Sequence, residues 1–354
     1  MTTPTGRRIA RPRLGDPALD QAVLDLVDAA AIEHDRDLVI EMVASVLKLG
    51  RGGNNRGDMK LASTALRELR TSFASFNPYR DSRKCSVFGS ARTRPDEPAY
   101  VAANLMGAAL AKRDWMVITG GGPGIMTAAI EGAGPDASFG VTIRLPFESA
   151  GNGLLPPERL VPFRYFFTRK LTFMKESSAY VAFPGGFGTL DETFELLTLL
   201  QTGKEYPCPV VLFDPAGTRY WDAWRQTVET QLLPAGLISA EDLDLVLITS
   251  DIDEAVDRIC AFYEVFHSMR YVDGQLVLRL VSDISDTQLA RLNQDFADLL
   301  ASGRIERGAA TSAEIDDHDE VARPRLFLDF DHRHHAGCTS SFARSSSWAD
   351  HAGD

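Results

Sequence analysis

Several common features are missing from this chain of 354 residues, and each omission narrows its function. Its four cysteines, Cys85, Cys208, Cys260 and Cys338, are scattered and none forms a C-x-x-C pair. Such spacing suits free thiols in a reducing compartment and argues against a disulfide framework or a cysteine zinc site. No apolar run approaches the ~18 residues that a membrane span needs, so no membrane partner is expected. The opening MTTPTGRRIARPRLGDP is basic but has no apolar stretch behind it. It does not read as a secretory signal, and the cytoplasm is the expected compartment. The net charge is -12 and no long basic run interrupts it, which disfavours a nucleic-acid polymer as partner. Two nucleotide signatures are absent as well. The glycines at Gly120 fail the G-x-G-x-x-G fingerprint because its last position is Ile125, and Gly203-Lys204 is followed by Glu205 rather than Ser or Thr. NAD and nucleoside triphosphates are therefore disfavoured, while a smaller nucleotide-sized anion is not.

What is present is an alternation of strand-like and helix-like segments. Residues 1–16 have no periodicity and read as disordered. From Pro17 onward apolar residues recur at three and four, as in Val39, Met42, Val43, Val46 and Leu47, and predict a helical leader over 17–82. Between 83 and 267 short apolar runs end at turn residues and lead into helices. The predicted strands are 85–88, 115–119, 139–143, 179–183, 209–213 and 244–248. Runs that are apolar on both faces, separated by helices, mean an α/β fold with a doubly wound, Rossmann-like parallel sheet. Residues 268–330 read as a small β-α-β appendage, and the Ser- and His-rich 331–354 as a disordered tail. His332, His334, His335 and Cys338 lie in that tail, where nothing fixes a metal geometry, so no metal site is expected. No internal repeat is visible.

The most informative segment is Pro184-Gly-Gly-Phe-Gly-Thr-Leu-Asp-Glu192. A strand, a glycine turn and a helix start form a geometry that holds phosphate, through amides left unpaired at the first helical turn. Glu192 falls one turn inside the helix, beside the anion, which suggests chemistry on the sugar of a nucleotide. Thr189 and Glu192 also match a capping box, a purely structural role. That role does not require Pro-Gly-Gly-x-Gly in front of it, a pattern that average composition yields at ~2 in 100,000 positions. Two further glycine loops, Gly89-Ser90-Ala-Arg92 and Gly120 to Gly124, also follow predicted strands and could share one pocket. Upstream lies Arg169-Lys170. The fork-shaped cation of Arg169 suits phosphate or ribose oxygens and can orient a carboxylate, whereas Lys170 reads equally well as a solvated surface cation.

With Thr168-Arg-Lys170 and the Gly120-rich loop in front of it, this segment resembles the LOG ("lonely guy") family over roughly residues 84 to 265. Members of that family are phosphoribohydrolases of nucleoside 5′-monophosphates, including cytokinin riboside monophosphates, and were long labelled lysine decarboxylases. The leader and appendage resemble extended bacterial members. The resemblance implies that Arg169 and Glu192 are catalytic. It implies that the amides of Gly185, Gly186, Gly188 and Thr189 hold the 5′-phosphate. Gly89, Ser90, Gly121 and Gly122 would line the remaining wall, and Lys170 would add positive potential. Thr168 stands where many members have His or Glu. No metal or organic cofactor is required, and a homodimer or larger homo-oligomer is implied, with sites near the subunit contact. Phe166, Phe173, Met126 and Met174 suit an apolar base pocket or the core. Two other readings stay open: a non-catalytic nucleotide or molybdenum-cofactor carrier, which needs the loops but not the Arg169–Glu192 pair, and a lysine decarboxylase, which needs pyridoxal phosphate on a lysine.

Overall fold

The computed structural model describes residues 12–144, 153–297 and 300–330. The chain divides between Glu68 and Leu69 into two compact units. The first holds α1 (Pro17–Ala29), α2 (Arg36–Arg51) and most of α3 (Arg56–Phe76). Asp16 starts α1 by accepting from the amides of Ala18 and Leu19, with Pro17 at the first helical position. Val23, Val27 and Ile40 form the small core between α1 and α2. The division falls inside α3, whose last turns belong to the second unit. Phe76 lies 4.5 Å from Phe139 between ring centroids, and the Ser72 hydroxyl is 3.2 Å from that of Thr172.

The second unit is built on a sheet of seven parallel strands. In chain order it runs β1 (Lys84–Phe88), α4 (Pro98–Lys112), β2 (Met116–Thr119), α5 (Ile125–Ala133), β3 (Ser138–Ile143), β4 (Leu160–Phe163) and α6 (Phe166–Glu176). It continues with β5 (Ala179–Ala182), α7 (Phe187–Gln201), β6 (Val210–Phe213), α8 (Tyr220–Thr227), β7 (Leu247–Thr249) and α9 (Ile252–Val265). The strand order is β4-β3-β2-β1-β5-β6-β7, a doubly wound Rossmann-like fold. Val87 pairs with Val181 and Cys85 with Val117, and every residue of β1, β2 and β5 is buried, so the central strands are covered on both faces. Neighbouring residues feed opposite cores: Val117 belongs to the one that includes residues of α4, α5 and α9, and Ile118 to the one that includes Phe139, Phe173 and Trp221. Helices α4 and α5 meet through glycine. A Cβ at Gly132 would stand 1.8 Å from the Asn104 carbonyl, and one at Gly107 would stand 2.2 Å from the Ala129 carbonyl.

Two details differ from the pattern read in the sequence. The run 244–248 begins as a 3-10 turn, Glu241–Leu245, and the strand follows it at Leu247–Thr249. Strand β4 was not anticipated, because Pro162 breaks its pattern; it is tolerated because β4 is the sheet edge.

The appendage is richer than the expected β-α-β. It comprises β8 (Phe266–Val272), β9 (Gln275–Leu280), α10 (Asp286–Asp295), β10 (Leu300–Gly308), α11 (Ser312–Asp316) and β11 (Arg325–Phe330). Its strands form an antiparallel sheet in the order β10-β11-β9-β8. Asp273 and Gly274 join β8 to β9 with φ of 51° and 85°, the paired left-handed conformation of a tight hairpin. The tail 331–354, with His332, His334, His335 and Cys338, and most of 1–16 lie outside the described residues. Among the described residues no helix is long and apolar enough to cross a membrane.

Candidate active site

Strands β1 and β5 are neighbours, and the chain runs outward from them toward opposite edges of the sheet. At such a switch point the loops beyond the carboxyl ends diverge and leave a crevice. The loops after β1, β2 and β5 are stitched together here. The Phe183 amide donates to the Phe88 carbonyl at 2.8 Å, Ser90 to Pro184 at 3.2 Å, and Ile125 to Ser90 at 3.1 Å. Gly124 makes the last contact possible: its φ is +69°, and a Cβ there would stand 2.3 Å from the Ser90 carbonyl.

The result is an open cleft of about 1780 Å³. That exceeds the ~300–1,000 Å³ of an ordinary small-molecule pocket and leaves room for a nucleotide. Gly89, Ser90, Gly121, Gly122, Arg169, Gly185, Gly186, Gly188, Thr189 and Glu192 all line it. Lys170 does not. Its ammonium turns to α7, 2.9 Å from the Asp191 carboxylate and 3.4 Å from that of Glu195. Phe166, Phe173 and Met126 line the cleft, whereas Met174 is buried in the core.

The glycine segment settles one ambiguity. Helix α7 starts at Phe187 with Gly186 as its N-cap and no side-chain cap. Thr189 is thus already inside the first turn, and the Thr189–Glu192 capping box does not form. Thr189 instead lies over Gly185, where a Cβ would meet its hydroxyl oxygen at 2.1 Å. Its amide donates to the Gly186 carbonyl at 3.1 Å, so the amides without an intrahelical partner are those ahead of it, at Phe187 and Gly188. A Cβ at Gly186 or Gly188 would meet nothing within 4 Å, so both face open space. The positive end of the helix dipole adds to the attraction for an anion there.

Glu192 is 6% exposed, and its Oε2 is buried with no hydrogen-bond partner. Burial lifts its pKa to about 7, opposed by the positive charges of Lys170 and Arg169 and assisted by Asp191 and Glu195. Arg169 reaches in from α6. Its Nε donates to the Val141 carbonyl at 2.8 Å, and its guanidinium lies 5.2 Å from the centre of the Phe173 ring. Thr142, Arg144, Leu160 and Pro162 also line the cleft and were not picked out from the sequence. Two of them belong to the unanticipated edge strand, which would have pointed to them.

Residues 116–259 match the protein-family model described as "Possible lysine decarboxylase". Over 160 residues the chain is 28% identical to the cytokinin riboside 5′-monophosphate phosphoribohydrolase of Mycobacterium tuberculosis (strain ATCC 25618 / H37Rv), covering 44% of this chain and 82% of that one. It is 32% identical over 127 residues to the Oryza sativa subsp. japonica protein named "Probable cytokinin riboside 5′-monophosphate phosphoribohydrolase LOG4", covering 34% and 54% respectively. These matches fall on the second unit and are a likeness to the LOG family. Among solved structures, the molybdenum cofactor binding protein of Rippkaea orientalis is 21% identical over 51% of this chain and 96% of its own, with a TM-score of 0.37. A likeness at that score says nothing about function. The decarboxylase description would imply pyridoxal phosphate held by a lysine. No lysine among the described residues lines the cleft, and Lys170 is committed to Asp191 and Glu195. The residues present do not fit that group.

Proposed function

We propose that this chain hydrolyses the N-glycosidic bond of nucleoside 5′-monophosphates, releasing the free base and ribose 5-phosphate. One observation carries the reading: Glu192, whose Oε2 is buried and unpartnered, lines the cleft one turn from a helix start suited to phosphate. In the reaction, water oxygen bonds to C1′ as the C1′–N bond breaks. The bonding pair leaves with the base nitrogen, which takes up a proton. Positive charge builds on the ribose ring, as in glycosidases, and ionised Glu192 stabilises it across a low-dielectric gap. Glu192 also accepts from ribose hydroxyls or from the attacking water. Arg169 orients the carboxylate and the water, and Lys170 contributes potential from outside the cleft. The amides at the start of α7 hold the phosphate, and this remote contact places the sugar.

The names of the relatives support an N6-modified adenine as the base, with plain adenine as the simplest test. Incubation with AMP is expected to release adenine and ribose 5-phosphate, both read by chromatography, and Glu192→Gln to abolish most of that release. Nucleotide binding without base release would make the protein a carrier instead. The reading extends to a homodimer: Phe166, Phe167, Leu171 and Phe187 are exposed on α6 and α7, Phe187 at 94%, a patch that suits a second copy. Sedimentation measures that assembly. A cytoplasmic location belongs to the same proposal.

A further inference from the structure

Tyr220 opens α8, beyond β6, and does not line the cleft. Its hydroxyl nevertheless donates to the Gly185 carbonyl at 2.8 Å. The tyrosine is held firmly. Asp214 Oδ1 accepts from the Tyr220 amide at 3.0 Å, and Oδ2 accepts from the amides of Trp221 at 3.0 Å and Asp222 at 3.2 Å. Next to it, buried Trp221 donates its indole N–H to the Ala182 carbonyl at 2.9 Å. Both ends of the segment from Ala182 to Gly185 are thus tied to the start of α8.

A trans peptide is planar, with its C=O and N–H pointing in opposite directions. A Gly185 carbonyl bound on the Tyr220 side therefore turns the Gly186 N–H the other way, toward the open face where a Cβ at Gly186 would meet nothing within 4 Å. Glycine on both sides of this peptide makes a flip sterically easy. The flipped peptide would present a carbonyl oxygen to the anion in place of an N–H donor.

We propose that Tyr220 is a positioning residue that locks the Gly185–Gly186 peptide so that its amide completes the phosphate cradle. This inference rests on the functional reading above, and the test separates the two. Calorimetry with inorganic phosphate is run on the parent and on Tyr220→Phe, beside steady-state kinetics with AMP. The phosphate Kd and the KM for AMP are both expected to rise about three- to tenfold, the size of one hydrogen bond, with kcat changed less than about twofold. Adenosine, which lacks the phosphate, is expected to bind both proteins equally; a general loosening of the fold would weaken it too. Unchanged phosphate Kd and KM overturn the role of Tyr220, as does a fall in kcat at constant KM. A parent protein that binds no phosphate overturns the phosphate-cradle reading itself, and the lock with it.

Discussion

The guanidinium of Arg169 lies directly against Gly120: a Cβ at that glycine would stand 2.5 Å from Nη2. The other close atom is Sδ of Met126 at 2.7 Å, so both obstacles are ends of flexible side chains rather than backbone. An alanine at 120 would be accommodated by pushing the cation aside. Gly120→Ala is therefore expected to cut kcat for AMP roughly 10- to 100-fold, the effect of a misplacement near 1 Å, with little change in melting temperature. Kinetics and a thermal melt on the same preparation decide this. Full activity in the folded variant would remove Arg169's position from the mechanism.

Glu192 links the site to stability. Its pKa rises from 4.5 to about 7 on folding, chiefly through burial. Between those values the folded protein keeps a proton that the unfolded chain has shed. Stability from this group therefore falls as pH rises through the window, and levels off above it. Each unit is worth about 1.4 kcal/mol. Glu192→Gln, which never ionises, should be more stable than the parent at pH 8 by on the order of 3 kcal/mol, with the gap closing near pH 4. Denaturant unfolding at both pH values checks it. If the ionised carboxylate is the working form, kcat/KM of the parent should climb as pH passes about 7.

The central sheet was legible because its strands are buried on both faces and so read as unbroken apolar runs. Strand β4 was not, since an edge strand need not be uniformly apolar and Pro162 fits there. Strand β10 was hidden for a similar reason: of the residues from Leu300 to Gly308, Ile305 alone is buried, leaving no alternation to detect. The three glycine loops could be assigned to one cleft because each ends a strand of one parallel sheet. The separate fates of Arg169 and Lys170 could not be read from their adjacency. A helix turns about 100° per residue, which here sends one cation to the β3 carbonyls and the other to the acids of α7. Tyr220 is 35 residues from its partner Gly185, and no local pattern announces the contact.

Gly132 supports the fold without touching the site. Its missing Cβ lets α5 approach α4, and the obstacle to an alanine is the Asn104 carbonyl at 1.8 Å, a backbone atom that moves only with its helix. Gly132→Ala should lose about 3 kcal/mol or more of unfolding free energy, at the upper end of overpacking effects. The fraction that remains folded should keep its KM for AMP. A variant as stable as the parent would show that the two helices separate without strain.

In the appendage, Arg279 and Glu314 form a buried ion pair at 2.9 Å, with side chains 5% and 0% exposed. Glu314 also accepts from the Thr311 amide and hydroxyl, at 2.9 and 3.0 Å, while Arg279 reaches Asp319 at 2.6 Å. Burial alone would push the Glu314 carboxyl up, but Thr311, Arg279 and Arg325 together hold it below its ordinary value of 4.5. Glu314→Ala would remove a buried carboxylate from two guanidinium groups, leaving Arg279 to Asp319 and Arg325, which lies 3.5 Å from the same carboxylate, to backbone carbonyls. A loss of about 3–5 kcal/mol is expected near neutral pH. A depressed pKa makes this contribution fully present above 4.5 and lost as pH falls through the lower folded value, so the difference from the parent should shrink in acid. Unfolding curves at pH 7 and pH 3.5 measure the change. A penalty that stays constant between them would assign the loss to packing rather than charge.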